Sequence, residues 1–240
     1  VPLKVSTGDQ PAALFMSGPP DKESVYINIG TGAFLQRVLD DKPLSTAKLL
    51  SSVIWQSNKD ISYVLEGTVN GAASALQQIS HELDIGEQAM QEHLARGLLS
   101  VKTPPLFLNG ISGVGSPYWQ SEFESRFIGE GNTREKLVAV LESIVFLIQA
   151  NLDEMDNYLE SPRRIVISGG LSVLDGLCQR LASISALPVE RKENQEATAQ
   201  GLAYLLSSSS QFDDDRSVRF EPEADAQLKQ RYEQWRSYMG

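Results

Sequence analysis

Apolar and polar positions alternate in short blocks along the first third of the chain and recur at helical spacing further on. The apolar run Val1 to Val5 reads as a strand end running into Thr7-Gly8-Asp9-Gln10, and Pro11-Ala12-Ala13-Leu14-Phe15 opens a helix. Glu23 to Ile29 predicts a strand ending in Gly30-Thr31-Gly32, and Phe34 to Leu39 predicts a second strand. Leu49 to Trp55 and Ile61 to Leu65, joined by Ser57-Asn58-Lys59-Asp60, predict a hairpin. Gly67 and Gly71 bracket the next turn, Ala72 to Leu83 predicts a helix, and Gly86 to Leu94 a further helix closed by Gly97.

Leu106 to Ile111 predicts a short strand that runs into the glycine-rich loop Gly110 to Trp119, with Tyr118-Trp119 packing under it. Asn132 with Glu135 three residues on has the form of a capping box. The helix it opens reaches about Leu159, with Leu137, Val140, Leu141, Ile144, Ile148, Leu152 and Met155 forming one apolar face. Arg164 to Ser168 predicts a buried strand ending in Gly169-Gly170, followed by a helix over Leu174 to Ile184. A strand at Leu187 to Arg191 and a helix at Glu196 to Leu206 come next. Ser207 to Ser210 and Asp213 to Asp215 read as a solvated loop, and Glu223 to Tyr238 as an amphipathic helix presenting Leu228, Tyr232 and Trp235. Strands first and strand–helix alternation last predict one α/β domain over residues 1–240, a mixed β-sheet flanked by helices.

Composition narrows the function classes. The 240 residues are 41% hydrophobic and 22% charged, with a formal net charge of -10, the profile of a soluble globular protein. Such a balance leaves no basic stripe for nucleic acid, so no nucleic-acid partner is expected. A small anion such as a nucleotide stays open, because backbone amides bind phosphate without basic side chains. The lone Cys178 permits no disulfide framework and fits a reducing cytoplasm. No apolar run approaches the ~18 residues of a membrane span, so no membrane partner is expected.

Chemistry is sought where strand ends meet helix starts. Asp9 has two readings there: a helix cap, or a base on a bound hydroxyl. Gly30-Thr31-Gly32 is either a hairpin turn or a wrap around phosphate, with its amides and the Thr31 hydroxyl as donors. Gly169-Gly170 either offers amides to an anion or allows tight strand–helix packing. No GxxxxGK[ST] and no complete GxGxxG after a strand occur. His81 and His93 lack metal-ligand spacing, so no metal-ligating side chains are assigned; Ser112 and Ser116 lack a His partner.

Taken in order, several stretches resemble the C-terminal domain of the FGGY carbohydrate kinases, most closely its glycerol kinases. They are Thr7-Gly8-Asp9-Gln10, Gly30-Thr31-Gly32-Ala33-Phe34, Tyr63-Val64-Leu65-Glu66-Gly67-Thr68, Gly71-Ala72-Ala73, Gly113 to Trp119, Leu141-Glu142-Ser143-Ile144, Gly169-Gly170, Glu196-Ala197-Thr198-Ala199 and Arg231 to Trp235. The resemblance covers essentially the whole chain and implies a ribonuclease H-like, actin-like ATPase fold. It implies an ATP-dependent phosphotransferase acting on a sugar or polyol, with ATP and Mg²⁺ as cofactors and glycerol the leading acceptor. Another sugar or sugar acid, such as xylulose or gluconate, and a non-catalytic actin-like binding or regulatory domain are the alternatives. Asp9 matches the catalytic base, Gln10 and Phe34 match substrate contacts, and Gly30, Thr31, Gly32, Gly71, Gly169 and Gly170 match ATP contacts. Leu174 and Ala75 stand where the family carries nucleotide-contacting Asn and Gln, and the stretch Gln120 to Arg126 is shortened. Nothing here matches the family's first domain, so the expectation is a second domain whose partners are that missing domain and, in a homodimer, a second copy.

Overall fold

The computed structural model describes residues 3–57, 60–192, 197–207 and 217–240. Four strands come early: β1 (Ser24–Ile29), β2 (Ala33–Val38), β3 (Leu50–Gln56) and β4 (Ile61–Val69). Between the short helix α1 (Asp9–Leu14) at the start and helices α2 (Ala73–Glu82) and α3 (Glu87–Ser100), these strands form one side of a sheet. The second half adds β7 (Arg164–Ser168), β8 (Val189–Lys192) and β9 (Ser217–Phe220), giving the order β3-β4-β2-β1-β7-β8-β9. β1, β7 and β8 run parallel, and β2 is antiparallel to both of its neighbours, β1 and β4. A separate small ribbon pairs β5 (Leu106–Leu108) with β6 (Arg126–Ile128).

Alternation along the strands sorts side chains onto two faces. Val25, Ile27, Ile29, Ala33, Leu35, Leu65, Ile165 and Ile167 enter the main core, whose centre is α4 (Thr133–Met155). α4 begins at the predicted capping box: Glu135 N–H donates to Asn132 Oδ1 at 3.1 Å, and Asn132 N–H donates to Glu135 Oε2 at 2.8 Å. It is buried on nearly every side rather than along one face, because the sheet lies on one flank and α2, α3, α5 (Asp175–Ser185) and β5 cover the others. A helix enclosed in this way reads as apolar all round. The closing helix α7 (Ala226–Met239), capped by Asp225 Oδ1 on Leu228 N–H at 2.8 Å, sets Tyr232 and Trp235 against Phe146.

Five local expectations change. Residues 3–8 form no strand: Leu3 is 84% exposed, and no ladder partner exists for it among the described residues. β4 continues through Gly67 instead of turning there, because the missing side chain gives room to Asn151 of α4. Gly97 does not close α3; it lies inside that helix, where a Cβ would come within 2.6 Å of Val138 on α4. Trp119 does not pack under its loop: it is 45% exposed and donates its indole N–H to the Lys48 carbonyl at 2.8 Å, while Tyr118 sits edge-on to Trp235. The predicted strand from Leu106 stops at Leu108, and β6 and β9 answer to no sequence expectation. Glu196, Ser208 to Ser210 and Asp213 to Asp215 lie outside the described residues.

Candidate functional site

The glycines converge at the ends of β1 and β7. Gly30 N–H donates to the Gly32 carbonyl at 2.8 Å, so the turn closes the β1–β2 hairpin as its bland reading required. The same turn also caps α2. The Thr31 carbonyl accepts from the backbone N–H of Ala72 (2.9 Å) and Ser74 (3.3 Å) and from the Ser74 hydroxyl, while the Gly30 carbonyl accepts from Ala73 N–H. Helix-start amides that would otherwise lack partners are thereby satisfied.

Three glycines of this group are needed for backbone approach. A Cβ on Gly32 would lie 2.6 Å from the Val69 carbonyl oxygen, and one on Gly71 would lie 2.6 Å from that of Ile111. Asn109, itself buried, donates from Nδ2 to the Gly71 carbonyl at 2.7 Å and holds the loop there. Gly169 has φ +91 and fits where a Cβ would be 2.6 Å from the Ile29 carbonyl oxygen. Gly30 and Gly170 differ: nothing lies within 4 Å of a Cβ built on either. The two readings of Gly169-Gly170 therefore divide between the two residues, with Gly169 packing and Gly170 facing open space. A 3-10 turn, Gly170–Val173, follows, held by the Ser172 hydroxyl on the Gly169 carbonyl (2.6 Å) and by Arg191 on the Ser172 carbonyl (2.7 Å).

The sheet face opposite α4 carries the polar alternates. Asn28 pairs in register with Phe34 on one side and Ser168 on the other, and Phe34 pairs with Thr68. Gln36 donates to Glu66 at 3.0 Å one step further down. α1 lies over this face, and Gln10 lines a small cavity with Tyr26, Asn28, Gln36 and Ser168. Gln10 and the Gly30 and Gly169 turns thus share one end of the sheet, with half-buried Phe34 opposite Asn28. Asn28 and Ser168 escaped the sequence reading; their signal was parity, each being a polar residue next in sequence to buried apolar ones (Ile27 and Ile29, Ile167) that point to the other face.

Asp9 is exposed at the start of α1, and the residue at the cap position is Gly8. Among the described residues its carboxylate accepts only the N–H of Gln10, at 2.9 Å, and does not cap the helix in the ordinary way. No hydrogen bond among the described residues joins Asp9 directly to the glycine turns. At the two positions that depart from the resemblance, Ala75 is wholly buried in the core, and Leu174 is half-buried against it at the start of α5. Ser116 is buried, 2.6 Å from Asn151 Oδ1, and has no nucleophile's surroundings. Among the described residues no cluster of His, Cys, Asp and Glu could hold a metal, and no helix is long and apolar enough to cross a membrane. Burial pushes the Cys178 thiol up to about 11.

Comparison with known proteins identifies the family. Residues 25–210 match the FGGY family of carbohydrate kinases, C-terminal domain. The glycerol kinase of Aquifex aeolicus is 33% identical over 208 residues, which is 85% of this chain and 42% of that protein. The structure of Plasmodium falciparum glycerol kinase with ADP superposes with a TM-score of 0.81 at 21% identity, over 96% of this chain and 49% of that one. A ligand-bound xylulose kinase from Lactobacillus acidophilus gives 0.75 at 18% identity, over 95% and 48%. The fold is accordingly ribonuclease H-like, with the actin-like arrangement of a mixed sheet between helices. The chain spans about half the length of the relatives it matches. It belongs to the FGGY family of carbohydrate kinases, and the part it represents is the C-terminal domain.

Proposed function

We propose that this domain supplies the nucleotide-binding half and the catalytic base of an ATP-dependent carbohydrate kinase, with glycerol as the leading acceptor. The observation that carries the reading is the convergence of Gly30, Thr31, Gly32, Gly71, Gly169 and Gly170 beside a sheet face that holds Gln10 and Phe34. Open space at Gly30 and Gly170 lets phosphate or a nucleobase approach main chain, and the exposed Thr31 hydroxyl adds a donor. Asp9 takes the proton of the attacking hydroxyl, Gln10 holds the acceptor's hydroxyls, and Phe34 lines its apolar side. A carboxylate in that role needs to be solvated and aimed rather than buried, since phosphoryl transfer rests on positioning and charge stabilisation. Mg²⁺, held mainly by the nucleotide's phosphates and water, would supply neutralisation of their charge. Over residues 1–240 we read one domain, working in the cytoplasm against a first kinase domain, with a homodimer as its assembly.

A second acceptor class, a ketopentose or sugar acid, is favoured by one feature. The stretch Gln120 to Arg126 is short and leads straight into β6. The test is ADP production by the natural full-length protein over glycerol, xylulose and gluconate, with Asp9→Asn as control. Turnover on one acceptor that falls at least about a thousandfold in Asp9→Asn supports the reading. Near-normal ADP release by Asp9→Asn sinks the base assignment, and no ADP with any acceptor favours a non-catalytic binding domain.

A further inference from the structure

α1 has six residues, too few to hold a helix by its own hydrogen bonds, so its place is set by neighbours. From below, Leu14 and Phe15 pack on Ile54 and Val64 of the sheet, which anchors the end of α1 remote from Asp9. From the side comes α6 (Ala197–Ser207), and its contacts form a ladder. The Thr198 hydroxyl donates to the Asp9 carbonyl at 3.2 Å. One turn on, Gly201 lies so close to α1 that a methyl group there would overlap the Ala12 carbonyl oxygen. At the next turn the Tyr204 ring stacks on Phe15, with centroids 6.3 Å apart and planes 15° off parallel. All three pairs keep the offset of 189 residues given by the first, so the two helices run parallel and in register. Only the Thr198 rung reaches the turn that bears the carboxylate.

We propose that Thr198 and Gly201 are positioning residues, which fix the Asp9 carboxylate through the backbone of α1. The inference rests on the reading of Asp9 as the base. Gly201 sets the interhelix distance, because any side chain would force α1 outward. Thr198 sets the axial position of the first turn by tying its carbonyl to α6. Neither residue touches nucleotide or acceptor in this arrangement, so the two should act on turnover and leave ATP binding alone. The energetic lever is geometric, since a displacement of about 1 Å at a reacting group can cost on the order of a hundredfold in rate.

The decisive variant is Thr198→Val, which keeps the shape and removes the hydroxyl, in the natural full-length protein with its best acceptor. The expected result is a kcat roughly tenfold lower with the ATP KM within about twofold of the parent, restored largely by Thr198→Ser. Gly201→Ala should lose more, roughly a hundredfold in kcat if it folds. A Thr198→Val kcat within about twofold of the parent overturns the inference, as does a loss that Thr198→Ser fails to rescue or a matching rise in ATP KM. Asp9→Asn is assayed alongside. If it abolishes turnover while Thr198→Val does not, positioning by α6 fails and the base assignment stands. If Asp9→Asn keeps turnover, the base assignment fails and takes this inference with it.

Discussion

The two faces of the sheet are built from the same strands and do different work. In β1, Val25, Ile27 and Ile29 are at most 1% exposed and lie against the helices around α4. Their alternates Tyr26 and Asn28 face α1, beside Gln36, Ser168 and Gln10. The first face is thick and apolar; the second is covered by one short helix and α6, and its row of polar side chains runs toward the glycine turns. A single-residue change in register would exchange the two sets. Core burial and the display of polar groups are thus separated by parity within each strand, so a mutation's kind of effect should follow from the face it touches.

The largest effect tests the apolar face. Phe146 on α4 is 1% exposed and lies 5.5 Å from the Tyr232 ring and 5.7 Å from that of Trp235. Phe146→Ala should cost about 3–5 kcal/mol of unfolding free energy, read by urea denaturation, since it deletes a ring from a packed core. A loss under about 1 kcal/mol would mean that this face relaxes freely and that the contrast between faces is overdrawn.

A smaller effect separates the glycines that pack from those that stand open. Gly32→Ala should cost about 1–3 kcal/mol, because its Cβ would press on the Val69 carbonyl oxygen at 2.6 Å. Gly170→Ala should change stability by less than about 0.5 kcal/mol, having open space and an ordinary φ, yet weaken nucleotide binding measured by calorimetry. Equal stability losses in the two variants would erase the distinction drawn at the turns.

Much of this was legible in the sequence, and unevenly. The capping box, the hairpin of β3 and β4 and the β1–turn–β2 unit were visible because each is local: a side chain three residues away, or a turn between two apolar runs. Gly67 and Gly97 were misread as punctuation because their cause is a partner far along the chain, Asn151 and Val138. Asn28 and Ser168 were missed because only the register between β1 and β7 brings them together. The α1–α6 ladder lay beyond reach for the same reason, its rungs being 189 residues apart. Position at strand ends made Asp9 and the glycines candidates and family resemblance attached roles to them, while the geometry separated the glycines that pack from those that stand open.

The smallest effect concerns a charged cluster buried within the dry face. Glu142 of α4 is 2% exposed, accepts from Nε of Arg231 at 2.9 Å and also from its Nη2, and lies 3.8 Å from Arg180. Burial raises its carboxyl above the ordinary value of 4.5, and the attraction of Arg231 and Arg180 offsets this only in part. A carboxyl raised by folding binds its proton more tightly in the native state than in the unfolded one. Its contribution to stability is therefore fully present below pH 4.5, the unfolded value, and is lost as pH rises through the higher folded value. Glu142→Gln removes this titration while leaving the shape. The stability of the wild type relative to Glu142→Gln should then fall as pH rises from about 4.5 in paired urea titrations. The opposite trend, a wild-type advantage that grows with pH, would show that Arg231 and Arg180 more than repay the burial. Charge would then stabilise the apolar face, and the parity rule would separate polar from apolar positions only where the sheet itself sets the spacing.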